Sequence, residues 1–385
     1  MDMKKIYADN SSTSFPKAAG VSQAVKDFID NAGCNINRGG YKSSYDVALD
    51  VLACRQLLAK LFKAASPRNV IFTPGVTYSL NMILRGFLQA GDHVVTTSME
   101  HNGLMRPLHD LAQAGVAYDI APCAPDGSLE PARFEELLKS NTKAVVLTHA
   151  SNVCGTILPI YDIADICAAR GVKIIVDAAQ TAGVLDIDAS RLDALAFTAH
   201  KGLLAPQGLG GFVIKDDFAR LVKPVITGGT GSSSHELAQP DFLPDKFESG
   251  TMNIPAIMGL KAALEYIDSV GVERIFEKEM QLTKSFMDGL GGMDGVEIIG
   301  KKGIEGRIAV VSLDFKHMDN ADVAAQLDAE YGIMTRCGLH CSPNSHKTLG
   351  TYPRGTVRFS FGHLNTLEEI EHIIFALKEV LAHGL

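Results

Sequence analysis

A lysine, an aspartate and a glycine-threonine turn, each set just after an apolar run, are the residues of this 385-residue chain best placed for covalent chemistry. Lys201 closes Thr198-Ala199-His200-Lys201, Asp177 opens Asp177-Ala178-Ala179-Gln180, and Gly75-Val76-Thr77 follows Val70-Ile71-Phe72-Thr73-Pro74. Glu100-His101-Asn102 and Thr148-His149-Ala150-Ser151-Asn152 stand in the same kind of position. A lysine amine can condense with a carbonyl, and a carboxylate can keep a ring nitrogen protonated. Gly75, Val76 and Thr77 open a helical stretch, whose free N–H groups and dipole favour a phosphate, and Thr198 and His200 can add side-chain donors. Taken singly, each residue has a plain alternative: a cap, a turn, a solvated loop. Five such clusters after successive apolar runs are harder to explain that way.

Together these groups are what pyridoxal phosphate requires: a Schiff-base lysine, an acid for the pyridinium nitrogen and a cradle for the phosphate. The elements that must position them follow from the pattern. Val70–Phe72, His93–Thr96, Ala144–Leu147, Lys173–Val176 and Ala194–Phe197 predict buried strands. Between them, Thr77–Gln89 and Ile160–Arg170 predict helices, with Gly91 and Gly171 soon after their ends. The alternation implies an α/β fold with a mostly parallel sheet, in which ligands collect beyond the carboxyl ends of the strands. From residue 256 the texture changes to a long helical pattern over Ala256–Asp294, strands over Arg307–Phe315 and Thr356–Phe361, and helices near Asn320–Glu330 and Thr366–Ala382. This predicts a large unit over 15–255 and a smaller α+β unit over 256–385 that includes residues 1–14. Thr227–Ser234, rich in glycine and serine, reads as a mobile loop.

Composition sets bounds. A formal net charge of -8 lacks the basic surplus that nucleic acid binding needs. The absence of a secretory-type start or a long uncharged apolar run predicts a cytoplasmic protein without a membrane partner. Seven scattered cysteines suit reduced thiols, with Cys34, Cys54, Cys123, Cys154 and Cys167 expected as small core residues.

Tyr7-Ala8-Asp9-Asn10, Met99-Glu100-His101, Thr148 to Thr156, Val176 to Gln180, Thr198 to Lys201 and Phe247 to Asn253 resemble the class V aminotransferase family, in its cysteine desulfurase and selenocysteine lyase branch. The resemblance runs in order from Tyr7 to Asn365 and implies the fold type I architecture of pyridoxal phosphate enzymes and a homodimer. It implies that Lys201 forms the Schiff base, that Asp177 partners the ring nitrogen and that Gln180 bonds the ring hydroxyl. His101 would stack on the ring, while Asn152 would line the cofactor and contact the substrate carboxylate. Thr77, Thr198 and His200 would hold the phosphate, and Gly250 and Thr251 would reach that of the other subunit. Arg336-Cys337-Gly338-Leu339-His340-Cys341 resembles the segment in which this branch carries its nucleophile, which gives that role to Cys341. Val357-Arg358-Phe359-Ser360 resembles the strand whose arginine forks onto the substrate carboxylate, a bidentate task suited to Arg358.

The implied activity is cleavage of L-cysteine to alanine with a persulfide on the enzyme. Release of selenide from selenocysteine, transamination, and a non-enzymatic role beside a sulfur carrier are the alternatives. A sulfur- or selenium-acceptor protein would be a further partner. Tyr78 stands where the family commonly has an acidic residue, and Asn37 where histidine often precedes Arg38-Gly39. Both touch the site margin and bear on the substrate. Metal binding by Cys337, His340, Cys341 and His346 is disfavoured, because the spacing matches no common structural zinc pattern. Gly208-Leu209-Gly210-Gly211 precedes a strand-like run, so a dinucleotide turn is not expected there.

Overall fold

The structure, a computed structural model, describes residues 5–36, 39–233 and 235–383; Asn37 and Arg38, singled out at the site margin, lie outside the described residues, as does Ser234. The apolar runs form a seven-stranded sheet in the order Val70–Thr73, Gly210–Ile214, Ala194–Thr198, Lys173–Asp177, Thr142–Thr148, His93–Thr97, Ala117–Ala121. The last five are parallel neighbours and the first two are joined antiparallel. The sheet is therefore mostly parallel. Past the lysines at their starts, Lys143 and Lys173, the central strands are buried, which is why they read as unbroken apolar runs rather than as alternation. Register carries polar residues to common rows at the strand ends. Thr73 and Thr198 both pair with Gly210, and Thr148 pairs with Asp177.

A second sheet of four antiparallel strands follows the order Arg336–Gly338, Thr356–Ser360, Val310–Phe315, Val296–Ile299. The amino-terminal strand Ile6–Tyr7 pairs with Ile333–Met334, and Asp9 bridges to Ser360, so the two ends of the chain meet beside this sheet. The long helical pattern predicted over 256–294 is two helices, Ile254–Val270 and Val272–Gly289. Gly271 separates them at φ 91°, a conformation that a continuing helix cannot use. The first of the two packs against Lys42–Leu61 and shares the apolar cluster of the main sheet, although it lies past residue 255. Cys54, Cys154 and Cys167 are buried as expected, whereas Cys34 and Cys123 are only half-buried; all seven cysteines are free. No described helix is long and apolar enough to cross a membrane.

One buried ion pair fixes the edge strand that leads to the Gly75 turn. Arg55 forks onto Glu248, with Nη1 to Oε1 at 2.8 Å and Nη2 to Oε2 at 2.5 Å, and Glu248 also accepts the Phe72 N–H at 2.7 Å. The guanidinium stacks 4.5 Å from the Phe72 ring. Both side chains are more than nine-tenths buried. Removing one partner leaves an uncompensated charge in a dry site. Arg55→Ala is expected to cost about 3–5 kcal/mol, and Arg55→Met with Glu248→Leu to recover part of that loss. Denaturant unfolding of the two variants checks both outcomes.

Candidate active site

The carboxyl ends of the parallel strands and the edge of the smaller sheet enclose one polar site. Lys201 lies three residues past the Ala194–Thr198 strand and donates no hydrogen bond to a described residue. Burial pulls its amine down to about 8, an effect that Asp177 opposes and the Arg358 and Arg336 guanidiniums reinforce. Asp177 ends its strand fully buried. Desolvation raises its carboxyl above the usual range, while the Ala179 N–H, 2.8 Å from Oδ1, and the Lys201 charge pull it back. A cation placed against Asp177 would relieve this desolvation cost. Gln180 lies beside Lys201 and donates to the Ser11 carbonyl at 3.2 Å.

The anion end has a matching donor set. Gly75 caps the helix Val76–Phe87, and a Cβ added there would meet only Thr198 Oγ1, at 4.0 Å. The Thr77 and Thr198 hydroxyls have no hydrogen-bond partner among the described residues, and His200 Nδ1 is buried without one. Val76 packs its side chain against the core, so it can contribute only its backbone N–H. A second helix, Asn102–Gln113, starts nearby, since a Cβ on Gly103 would lie 3.3 Å from Thr77 Oγ1. Two helix N-termini and several unpaired donors could hold a phosphate dianion.

His101 caps that second helix, its Nδ1 accepting the Gly103 N–H at 2.9 Å. Burial first, then Lys201, Arg336, Arg358 and Arg106, bring its pKa down to about 4. The ring is neutral near pH 7, and the capping bond leaves its proton on Nε2.

The cysteine segment closes the site from the smaller sheet. Cys341 is exposed, and its Sγ accepts from Arg336 Nη2 at 3.6 Å. Its carbonyl accepts the Asn102 N–H at 2.8 Å, which ties it to the helix that His101 caps. Asn152 joins the two sheets: Nδ2 donates to the His340 carbonyl and Oδ1 accepts from Ser342 Oγ, both at 2.8 Å, while the Asn152 carbonyl accepts from Arg358 Nη1 at 3.0 Å. Arg358 is buried and also donates to Asp9 Oδ1 at 2.7 Å and Ser12 Oγ at 2.8 Å. His340 donates nothing to the thiol. Its Nε2 meets Thr356 Oγ1 at 3.0 Å, and burial takes its pKa to about 2.

Lys201, Asp177, Gln180, His101, Asn152, Thr77, Thr198, His200, Cys341 and Arg358 therefore surround one site. Gly250 and Thr251 do not join it. Both are exposed; Thr251 Oγ1 receives Asn35 Nδ2 at 3.5 Å and lines a separate cavity with Thr73, Pro74 and Tyr78. Three contributors had no role assigned from sequence: Asp9, Ser12 and Arg336. No local spacing could have signalled Asp9 or Ser12, because Asp9 and Arg358 are 349 residues apart, whereas Arg336 opens the segment that ends at Cys341.

The family described as Aminotransferase class-V matches this chain over residues 6–373. A probable cysteine desulfurase of Methanothermobacter thermautotrophicus is 31% identical over 98% of this chain and 95% of its own length. One from Pyrococcus abyssi is 32% identical over 98% and 94%. Among solved structures, the apo cysteine desulfurase of Thermococcus onnurineus superposes with a TM-score of 0.92 at 31% identity, covering 98% of this chain and 95% of that one. The Escherichia coli cysteine desulfurase CsdA gives 0.88 at 26% identity, covering 98% and 94%.

Buried ionisable groups set the pH dependence of the apoprotein's stability. His101, His149, His200 and His346 lie near 4 and His340 near 2 when folded, against an ordinary 6.5, so each gains a proton on unfolding below pH 6.5. Glu100 and Glu279 are pushed up by burial to about 8 from 4.5, so each loses one on unfolding between those values. The histidines outnumber the glutamates, and stability falls as pH drops through 6.5. Between 6.5 and about 8 the glutamates outweigh Lys201 and Lys17, both held down to about 8, and stability falls again. Thermal unfolding of the apoprotein should show a maximum near pH 6.5; a steady rise to pH 8 would contradict the protonated glutamates.

Proposed function

The chain belongs to the class-V aminotransferase family, and from that premise we propose that it is a pyridoxal phosphate-dependent cysteine desulfurase, acting on L-cysteine to give alanine and a persulfide on Cys341. The observation that carries this reading over transamination is the exposed Cys341 thiol, held at the site by the Asn102 N–H and facing Arg336. Transamination has no use for a thiol there.

When bound, pyridoxal phosphate supplies an aldehyde for the substrate amine and a ring that draws electrons from Cα. The donors on Gly75, Val76, Thr77, Thr198 and His200 would hold its phosphate, Asp177 would keep the ring nitrogen protonated, and Gln180 would bond the ring hydroxyl. Neutral His101 would offer the ring an aromatic face without adding charge. Lys201, its basicity lowered by burial, is free to take the Cα proton near neutral pH and to return one to the product. Arg358 and Asn152 orient the substrate carboxylate, with Arg336 as a second cation beside it. Cys341 then attacks the substrate sulfur: an S–S bond forms as the C–S bond breaks, and alanine leaves.

The same reading includes a homodimer in the cytoplasm and a protein that accepts the sulfur. Tyr41, Tyr45, Leu49 and Leu52 form an exposed apolar stripe at the start of and along the Lys42–Leu61 helix. Asn35, bonded to Thr251, accepts from Ser44 at that helix's start, so the loop of Gly250 and Thr251 sits at the end of the stripe. A second copy covering it would bring those residues toward the partner's phosphate. We also place the start of the smaller unit at Gly271 rather than residue 256, because Ile254–Val270 packs with the main core.

Cys341→Ser should leave the yellow cofactor spectrum intact and abolish most alanine release from L-cysteine at matched cofactor occupancy. If the variant keeps most of the wild-type rate, a plain lyase or aminotransferase takes its place. Running L-selenocysteine in parallel ranks the two substrates. Sedimentation should show a dimer that Leu49→Arg converts to monomer with loss of bound cofactor; a fully active monomer would refute the shared site.

A further inference from the structure

Behind Lys201 lies a cavity of about 40 Å³ that the reaction above does not use, room enough for ordered water. Its wall comes from the amino-terminal segment, the end of the main sheet, the Val272–Gly289 helix and the edge of the smaller sheet. Lys201 and Glu279 are the titratable side chains on that wall; the others are neutral. The cavity meets the active site through Lys201 and Gln180 only, for His101, Asp177, Thr77 and Cys341 do not line it.

Two polar groups there lack protein partners that would account for them. Ser11 Oγ lines the space, is buried, and has no hydrogen-bond partner. Buried hydroxyls are satisfied by protein or water, and the protein supplies nothing here. Glu279 is also buried, forms no ion pair with a described residue, and receives a hydrogen bond from the backbone N–H of His363. An acid so enclosed is costly to keep charged without a partner.

We propose that Glu279 is the proton store of Lys201, reached through water held in this cavity. The inference rests on Lys201 being the covalent anchor and names where its proton goes while the amine is free. An N–H bond of the Lys201 ammonium breaks as an O–H bond forms on the Glu279 carboxylate, and each intervening water gains one proton and gives up another. The pair passes from two opposite charges to two neutral groups, with no change in net charge. Burial disfavours the charged form of both the acid and the base, so a transfer that discharges them together relieves both costs. Glu279 acts through Lys201 and does not touch the reacting atoms.

The experiment follows deuterium. Holoenzyme in ordinary water receives L-cysteine deuterated at Cα; Lys201 takes the deuteron, and exchange with the cavity dilutes it before return. Alanine from the wild type should keep little deuterium. Glu279→Gln, similar in shape but unable to store the proton, should raise retention severalfold. Val184→Leu, which adds a methylene to the cavity wall and leaves Glu279 in place, should shift retention the same way. A high-resolution crystal structure of the apoprotein should show water joining Ser11, Glu279 and Lys201, displaced in Val184→Leu. High retention in the wild type, equal retention in Glu279→Gln, or a dry cavity overturns the proposal. A colourless wild type that takes up no cofactor overturns the Lys201 reading instead, before Glu279 is tested.

Discussion

A fully buried guanidinium needs acceptors for its donors, and the rest of the site is arranged around how Arg358 finds them for its two Nη atoms, its Nε having none among the described residues. Its acceptors come from two distant stretches of chain: Asp9 with Ser12, and the Asn152 carbonyl. The amino terminus must therefore cross to the smaller sheet, where Ile6–Tyr7 pairs with Ile333–Met334, and the end of the Thr142–Thr148 strand must reach the same point. Asn152 then passes the constraint on, because its side chain holds both the His340 carbonyl and the Ser342 hydroxyl. Asp9 neutralises one guanidinium, and Arg336 leaves the pocket with a surplus positive charge. An amino acid's carboxylate is the ligand group that such a surplus favours.

Negative charge is rationed just as closely. Glu100 is buried beneath Asp177, and burial pushes its carboxyl up to about 8, with Asp177 adding to that shift. The Thr97 hydroxyl and Thr148 N–H satisfy its oxygens. Two adjacent carboxyls in low dielectric do not both ionise readily, and the one that keeps its proton is the one away from the cofactor face. That arrangement leaves Asp177 as the acid available to a cationic ring. His101, neutral and capping its own helix, contributes an aromatic face and no repulsion.

These dependencies mark how far the sequence could be read. The central strands were legible because burial on both faces demands uninterrupted apolar runs, and the residues after them were legible because parallel sheets put their chemistry at one edge. Lys201, Asp177 and the Gly75 turn follow from that alone. The Ala117–Ala121 strand escaped because an exposed sheet edge imposes no such pattern. A helical period reveals that a face is buried but not what buries it, which is why the sequence groups Ile254–Val270 with the smaller unit although it shares the apolar cluster of the main sheet. In sequence Asp9 and Arg336 fall inside the family-like segments without an assigned role, and Glu279 looks like a surface charge. Only the fold shows that two of them complete a buried site and the third faces a cavity.

The cysteine loop shows the cost of meeting two reactants with one thiol. His340 and Cys341 both adopt left-handed backbone, φ 48° and 59°, which for side chains other than glycine costs roughly 1–2 kcal/mol each. The strain is held by bonds to those same residues, since Asn152 donates to the His340 carbonyl and the Asn102 N–H to that of Cys341. With the chain turned this way, consecutive side chains part company: the imidazole is buried against Thr356 and stacks on His346, while the thiol is exposed beside Arg336. A relaxed turn would not need those anchors. In the role proposed for Cys341, a thiol that reaches a buried substrate and then presents its sulfur to an external acceptor needs a fixed base and an exposed tip; the buried imidazole supplies the first and the strained turn the second.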